Sequence, residues 1–98
     1  MTGEIPEKLY DRVGPVLQSG PVANAIIAAI KDLNQDVIVV DRGAYMRVLV
    51  PRCCVVTRSA IEEHLGRSFR FPGELETVMS AFKGSLELNQ SDAAWRFA

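Results

Sequence analysis

Residues 37–50 carry the strongest local constraint in the chain. Val37-Ile38-Val39-Val40 is a short β-branched run, which reads as a buried strand. Asp41-Arg42-Gly43 fits a three-residue hairpin loop in which Gly43 takes the positive φ angle. Residues 44–50 then return as the partner strand. Alternation places Tyr45, Arg47 and Leu49 on one face and Ala44, Met46, Val48 and Val50 on the other, and Pro51 ends the run.

A helix precedes this hairpin. Gly20-Pro21 opens it, with Pro21 at the first helical position, where its missing N–H has no intrahelical partner to lose. Val22, Ile26, Ile30 and Leu33 recur at steps of four, four and three, a single helical stripe. Ile27 and the alanines widen that stripe, so the helix is expected to lie flat on a sheet. Asn34 is expected to stop it in the left-handed conformation. Before the helix, residues 13–18 read as an extended segment. Pro15 within it donates no hydrogen bond, which predicts an edge strand. Residues 1–12 read as a short N-terminal tail, and residues 13–98 as the single folded domain.

The second half repeats this order. Residues 53–56 form a short apolar strand. Thr57 and Ser59 both offer N-caps, and Ser59 with Glu62 fits the capping-box spacing. A short helix through Ile61 and Leu65 stops at Gly66. Phe69 and Phe71 flank Arg70 on a connection, and Pro72-Gly73 opens another helix with Glu74 and Glu76 at its positive end. Leu75, Val78, Met79 and Phe82 fall on one helical stripe, which predicts a helix running to Gly84 with Val78 and Phe82 facing the core. Residues 85–89 and 93–97 are the last two strands, joined by Asn89-Gln90-Ser91-Asp92. The expected fold is therefore α+β and two-layered. It is built from duplicated β-α-β-β units, with helices on a largely antiparallel sheet.

Composition narrows the function. The chain has 98 residues, 48% of them apolar, enough for one domain. Size scaling implies that about 65% of the unfolded surface is buried, so a core forms without disulfides or metal. The net charge is −1. Residues 1–49 hold six acids and five bases, and residues 50–98 hold six of each. No basic excess suggests a nucleic-acid partner. No apolar run approaches the roughly 20 residues of a membrane span, and the N-terminus lacks the pattern of a signal peptide. The expected location is the cytoplasm.

Catalytic equipment is missing from the sequence. Cys53 and Cys54 are adjacent, so a disulfide between them would close a strained ring, and in a strand their thiols point to opposite faces. With His64 as the only histidine, no zinc spacing can be assembled. Neither a phosphate-binding glycine loop nor a nucleophile elbow occurs. Glu62-Glu63 and Glu74-Glu76 lie in helical first turns, where carboxylates are favoured electrostatically. Arg52, Arg58, Arg67 and Arg70 make either a solvated face salted with Glu or a docking surface for an acidic partner. Binding or regulation is the expected class, with no cofactor. A small metabolite-binding regulatory domain is the alternative, and it requires a pocket with convergent polar groups between sheet and helix.

The stretch Thr57-Arg58-Ser59-Ala60-Ile61-Glu62-Glu63-His64-Leu65-Gly66-Arg67-Ser68-Phe69 resembles a signature of the effector (coupling) proteins of soluble di-iron monooxygenases. Val13-Gly14-Pro15 followed by Gly20, Val40-Asp41-Arg42-x-Ala44-Tyr45-x-Arg47, and Glu74-Leu75-Glu76 with Phe82-x-Gly84 are similar to further family segments, in the same order. The resemblance covers residues 13–97 and is nearest to the toluene and alkene monooxygenase branch. It implies duplicated β-α-β-β units and a non-catalytic protein without metal or organic cofactor. It also implies a partner, the large subunit of a di-iron hydroxylase, whose O₂ activation the effector couples to hydroxylation or epoxidation of an aromatic or alkene substrate. A reductase and a Rieske-type ferredoxin complete such systems. In the family an Asn and then small residues on the helix matching residues 74–82 face the hydroxylase. Here Val78 stands at the Asn position, and Ser80 and Ala81 keep the small character. The implied interface is Ser80 and Ala81 with Val78 and Phe82, and with Arg58 or Arg67 in support.

Overall fold

A computed structural model describes residues 10–97 of the chain. Most of the expected 1–12 tail lies outside them. Tyr10 and Asp11 form a turn, and the first strand starts one residue earlier than expected, at Arg12. In chain order the elements are β1 (Arg12–Gln18), α1 (Pro21–Leu33), β2 (Ile38–Asp41), β3 (Tyr45–Pro51), β4 (Cys53–Thr57), α2 (Arg58–Leu65), α3 (Gly73–Val78), β5 (Met79–Lys83), β6 (Ser85–Leu88) and β7 (Asp92–Arg96). The strands form two sheets, ordered β2-β3-β1-β5 and β4-β7-β6, and every pairing is antiparallel.

The expected duplication is visible in these orders. The first unit, β1-α1-β2-β3, lays its strands out as β2-β3-β1. The second unit supplies β4, α2, β6 and β7, laid out as β6-β7-β4, the same order of second, third and first strand. The second unit differs by an insertion, α3 and β5, between its helix and its hairpin. The inserted strand leaves its own unit and pairs with β1 of the other sheet.

That pairing corrects two expectations. β1 is an interior strand, flanked by β3 and β5. Pro15 is tolerated there because the β1–β3 pairing runs Arg12–Pro51 and Val13–Val50, then skips Gly14 and Pro15 before resuming at Val16–Arg47. Gly14 makes the close approach possible: a Cβ at this residue would sit 2.3 Å from the Val48 carbonyl oxygen. The second correction concerns residues 79–83, which are a strand and not the end of a helix. α3 stops at Val78, and the backbone from Met79 onward bonds to the edge that β1 would otherwise leave open. A sheet edge of unpaired N–H and C=O groups outweighs a helical periodicity that is also compatible with β-structure.

The chain changes sheet at two single residues with positive φ. Arg52 (φ 64) carries it from β3 to β4, and Gly84 (φ 106) from β5 to β6. The Arg52 N–H donates to the Asp11 carbonyl, and its own carbonyl accepts from the Phe97 N–H. One core runs under both sheets, including Val13, Leu17, Ile26, Ile30, Val48, Val56, Ile61, Phe69, Leu75 and Trp95. The only described buried side-chain polar atom without a partner is the Trp95 indole N–H.

Helix ends follow local chemistry, with two departures from expectation. Asn34 follows α1 in an extended conformation, not a left-handed one. Its amide donates to the Ile30 and Val55 carbonyls (2.7 and 2.8 Å) and accepts from the Val55 N–H (3.1 Å). One side chain thus ends α1 and also satisfies the open edge of β4. At α2 the cap is Thr57, whose Oγ1 accepts from the Ala60 N–H at 3.2 Å, so the Ser59–Glu62 capping box is not formed. Gly66 ends α2 in the left-handed conformation, as expected. The hairpin loop is shifted by one residue, to 42–44, because Asp41 stays in β2 opposite Met46, but Gly43 takes the expected positive φ (82) and its N–H donates to Asp41 Oδ1 at 2.8 Å.

Candidate functional site

The second-half signature builds a bracket rather than a reactive centre. Glu62 sits one helical turn after Arg58 and pairs with it at 3.1 Å. The same Glu62 oxygen accepts from the Phe69 N–H at 2.8 Å. Arg67 grips Glu74 with two nitrogens at 3.2 and 3.0 Å, while Glu74 also accepts from the Arg70 N–H at 2.8 Å. The Phe69 N–H, and then Arg58, hold the Glu62 carboxyl below its ordinary value. Arg67, and then the Arg70 N–H, do the same for Glu74. Four backbone and side-chain contacts therefore fasten the 66–72 connection with Phe69 and Phe71 buried beneath it. Of the expected interface cations, Arg58 and Arg67 are thus each already committed to a carboxylate.

The thiols and the histidine are structural neighbours of this scaffold. Cys54 is buried, and burial, with Cys53 beside it, pushes its thiol up to about 12. Cys53 is half-buried, and Arg96 Nη1 lies 3.6 Å from its sulfur. Both thiols are free. His64 is not isolated: its Nε2 meets Asp32 Oδ2 at 2.6 Å, tying α2 to the end of α1. No group of three or more His, Cys, Asp or Glu among the described residues is arranged to hold a metal ion. No helix there is long and apolar enough to cross a membrane.

The expected interface residues Ser80, Ala81 and Phe82 all fall on β5, and Val78 at the end of α3. Val78 is half-buried against the core, as expected. Phe82 is not: it is 46% exposed, because the strand conformation carries it to the sheet edge instead of under a helix. Ser80 is the extra residue of a bulge. The β1–β5 register passes from Val16–Ala81 directly to Leu17–Met79, so Ser80 has no opposite number, and its Oγ makes only a 3.5 Å approach to the Val16 carbonyl. Bulges bend a strand and re-aim its side chains.

Around these residues the outer face of the four-stranded sheet forms an open depression of about 380 Å³. Ser80, Ala81 and Phe82 line it from β5, Val16 from β1, Tyr45 and Arg47 from β3, and Lys83 closes one end. A second depression, bounded by Gln18, Ala44, Tyr45, Thr77, Val78 and Ser80, adjoins it. The first is lined by strand residues alone, whereas the second also meets the end of α3 at Thr77 and Val78. Tyr45 and Phe82 are two of the four large apolar side chains that stand exposed among the described residues. The sequence singled out Ser80, Ala81 and Phe82 but missed Lys83 on the same strand and Val16 on the neighbouring β1. Tyr45 and Arg47 carried a signal, since alternation put them on one face, but nothing local indicated that β5 would come to lie two strands away.

The profile of the MmoB/DmpM family matches residues 11–96. The chain is 40% identical over 87 residues to the alkene monooxygenase system effector subunit of Xanthobacter autotrophicus (strain ATCC BAA-1158 / Py2), covering 87% of this chain and 85% of that protein. Its fold is similar to a chain in the solved structure of a phenol hydroxylase–regulatory protein complex. The TM-score is 0.77 at 18% identity, covering 89% of this chain and 98% of that one. With a compact antiparallel α+β architecture and a family profile running from Asp11 to Arg96, the chain belongs to the MmoB/DmpM family.

Proposed function

We propose that the protein is the effector component of a multicomponent monooxygenase. It binds the large subunit of a di-iron hydroxylase and couples O₂ activation there to hydroxylation or epoxidation of an aromatic or alkene substrate. It performs no chemistry itself, and a reductase and a Rieske-type ferredoxin supply the electrons. The observation that carries this reading is the 40% identity, along most of both chains, to a protein described as an alkene monooxygenase effector subunit.

The physical requirement on such a protein is differential affinity. It must bind one hydroxylase conformation better than another, and a tenfold shift between them needs about 1.4 kcal/mol of differential binding. The depression over β1, β3 and β5 is the surface we assign to that contact, with Ser80, Ala81, Phe82 and the neighbouring Val78. Small residues at positions 80 and 81 permit close backbone approach, and the exposed Phe82 supplies apolar area. Arg58 and Arg67 have less weight in docking, because each already meets a carboxylate in the free protein. Exposed, paired charges contribute little to affinity and are screened by salt.

The test is coupled turnover with the cognate hydroxylase, reading product formed per NADH consumed while the effector is titrated. Wild-type protein is expected to raise both rate and coupling. Ser80→Trp and Ala81→Trp are expected to melt near the wild-type temperature, since both residues are exposed, yet to require higher concentrations and to reach lower coupling. A wild-type protein without effect on the rate or the coupling of that hydroxylase would overturn the assignment.

A further inference from the structure

Arg47 has an unusual setting among the described arginines. Arg12, Arg52, Arg58, Arg67 and Arg96 each meet an oxygen acceptor. Arg42 and Arg70 stand exposed. Arg47 is half-buried and makes no hydrogen bond or ion pair within the described residues. Its cross-strand neighbours are apolar: Val40 on β2, Val16 on β1 and, one strand further, Ala81 on β5. This row lies on the sheet's outer side, because the alternate residues Val48 and Val50 enter the core. The guanidinium thus has five donors over an apolar floor and no acceptor for them.

Lys83, opposite Gly14 on β5, lines the same depression. Its ammonium is lowered from its ordinary value, first by burial and then by the Arg47 charge, with Asp11 opposing. The Lys83 ammonium is turned to Tyr10, donating to its carbonyl at 2.8 Å and lying over its ring, so Arg47 gives the apolar floor its local positive potential. That potential selects an anionic group presented beside an apolar one.

We infer that the β1–β3–β5 face receives an Asp or Glu side chain of the hydroxylase, seated on Arg47, next to an apolar residue that rests on Val16, Ala81 and Phe82. This rests on the effector reading above and names the chemistry of the partner at that surface. A carboxylate suits the position because the guanidinium fork offers it two parallel hydrogen bonds, and the low-dielectric floor strengthens them. Alternation places Tyr45 and Arg47 together on this outer face, where both line the depression with Ser80.

The experiment compares Arg47→Gln, Arg47→Glu and Arg47→Lys with wild type in binding to the cognate hydroxylase at low and high salt. All three are expected to melt close to wild type, because no internal ion pair is removed. Arg47→Gln is expected to weaken binding about 10- to 100-fold, the range for a hydrogen bond to a charged group, and to flatten the salt dependence. Arg47→Glu weakens it further, and Arg47→Lys retains part of the affinity. Carbodiimide coupling, which joins an amine to a carboxylate without a spacer, is then applied to the Arg47→Lys variant in the complex. A peptide linking position 47 to a hydroxylase Asp or Glu is expected by mass spectrometry. If wild type binds and stimulates the hydroxylase, yet Arg47→Glu binds equally well or position 47 forms no such link, the carboxylate inference fails while the effector reading stands. If wild type neither binds nor stimulates, both fall.

Discussion

The two β-α-β-β units share a strand order and differ in what they do with it. The first is minimal: β1, α1 and a tight hairpin, with thirteen residues of helix carrying six buried side chains. The second interrupts the same plan with α3 and β5, and sends β5 across to the first sheet. The bracket of Arg58, Glu62, Arg67 and Glu74 belongs to the second unit, and the strand that follows it completes the surface of the first. The comparison teaches that a duplicated fold gains a distinct surface most readily at its seam. There, an insertion in one copy meets a strand edge left open by the other, and backbone pairing joins the two. The assigned docking face is accordingly not a property of either unit. It exists where β5 lies on β1.

The sharpest way to break this arrangement is at the tight approach of β1 to β3. Gly14→Ala would place a methyl group 2.3 Å from the Val48 carbonyl oxygen at a φ of 148. A loss of about 2–5 kcal/mol is expected from overpacking and backbone strain together. Gly43→Ala, in the same unit's hairpin, meets nothing within 4 Å. It is expected to cost only about 1 kcal/mol, from its left-handed φ alone. Urea titrations of both variants measure the contrast, and equal losses would show that close packing at β1 is not what distinguishes them.

The join between the units is the next target. Asn34 follows the first unit's helix and bonds both backbone groups of Val55 in the second unit. Asn34→Ala is expected to destabilise by about 1–3 kcal/mol, because it leaves a part-buried donor and acceptor of β4 unpaired. Asn34→Asp keeps an acceptor for the Val55 N–H but turns a carboxylate toward two carbonyls, so it is expected to rescue little. Thermal melts of the two variants make the comparison. If Asn34→Asp were as stable as wild type, the donor half of this clasp would carry no weight.

The smallest expected effect separates the inserted segment from the rest by pH. Glu62 and Glu74 have carboxyls held low in the folded chain. As pH falls below the ordinary value of 4.5, the unfolded chain takes up these protons first. The stability they contribute is therefore present above that value and is lost as pH falls through the lower folded ones. Glu62→Gln with Glu74→Gln is expected to flatten stability against pH between about 5 and 3. Acid-induced amide exchange in wild type is expected to appear first in α3 and β5. A variant with the wild-type acid profile would mean that the bracket does not hold the insertion.

Much of this molecule was legible in residues close together in sequence. The hairpin at Asp41-Arg42-Gly43, the helix opened by Gly20-Pro21 and the stop at Gly66 all rest on φ preferences and hydrogen bonds within a few residues. The alternation of residues 44–50 separated Val48 and Val50 from Tyr45 and Arg47 without any tertiary information. The family resemblance likewise rested on short segments in a fixed order. Tertiary structure decided the rest. Residues 75–82 carry a helical stripe, yet the open edge of β1 drew residues 79–83 into a strand, since satisfying a row of backbone groups outweighs a weak side-chain period. Pro15 carries an edge signature, yet a local gap in the β1–β3 pairing lets it sit in the sheet's interior. Arg58 and Arg67 read as either a face salted with Glu or a docking surface until the fold paired them with Glu62 and Glu74. Arg47 acquired its half-buried setting on the assigned surface only when β5 arrived beside β1, because no property of residues 40–50 can say which strand will lie two places away.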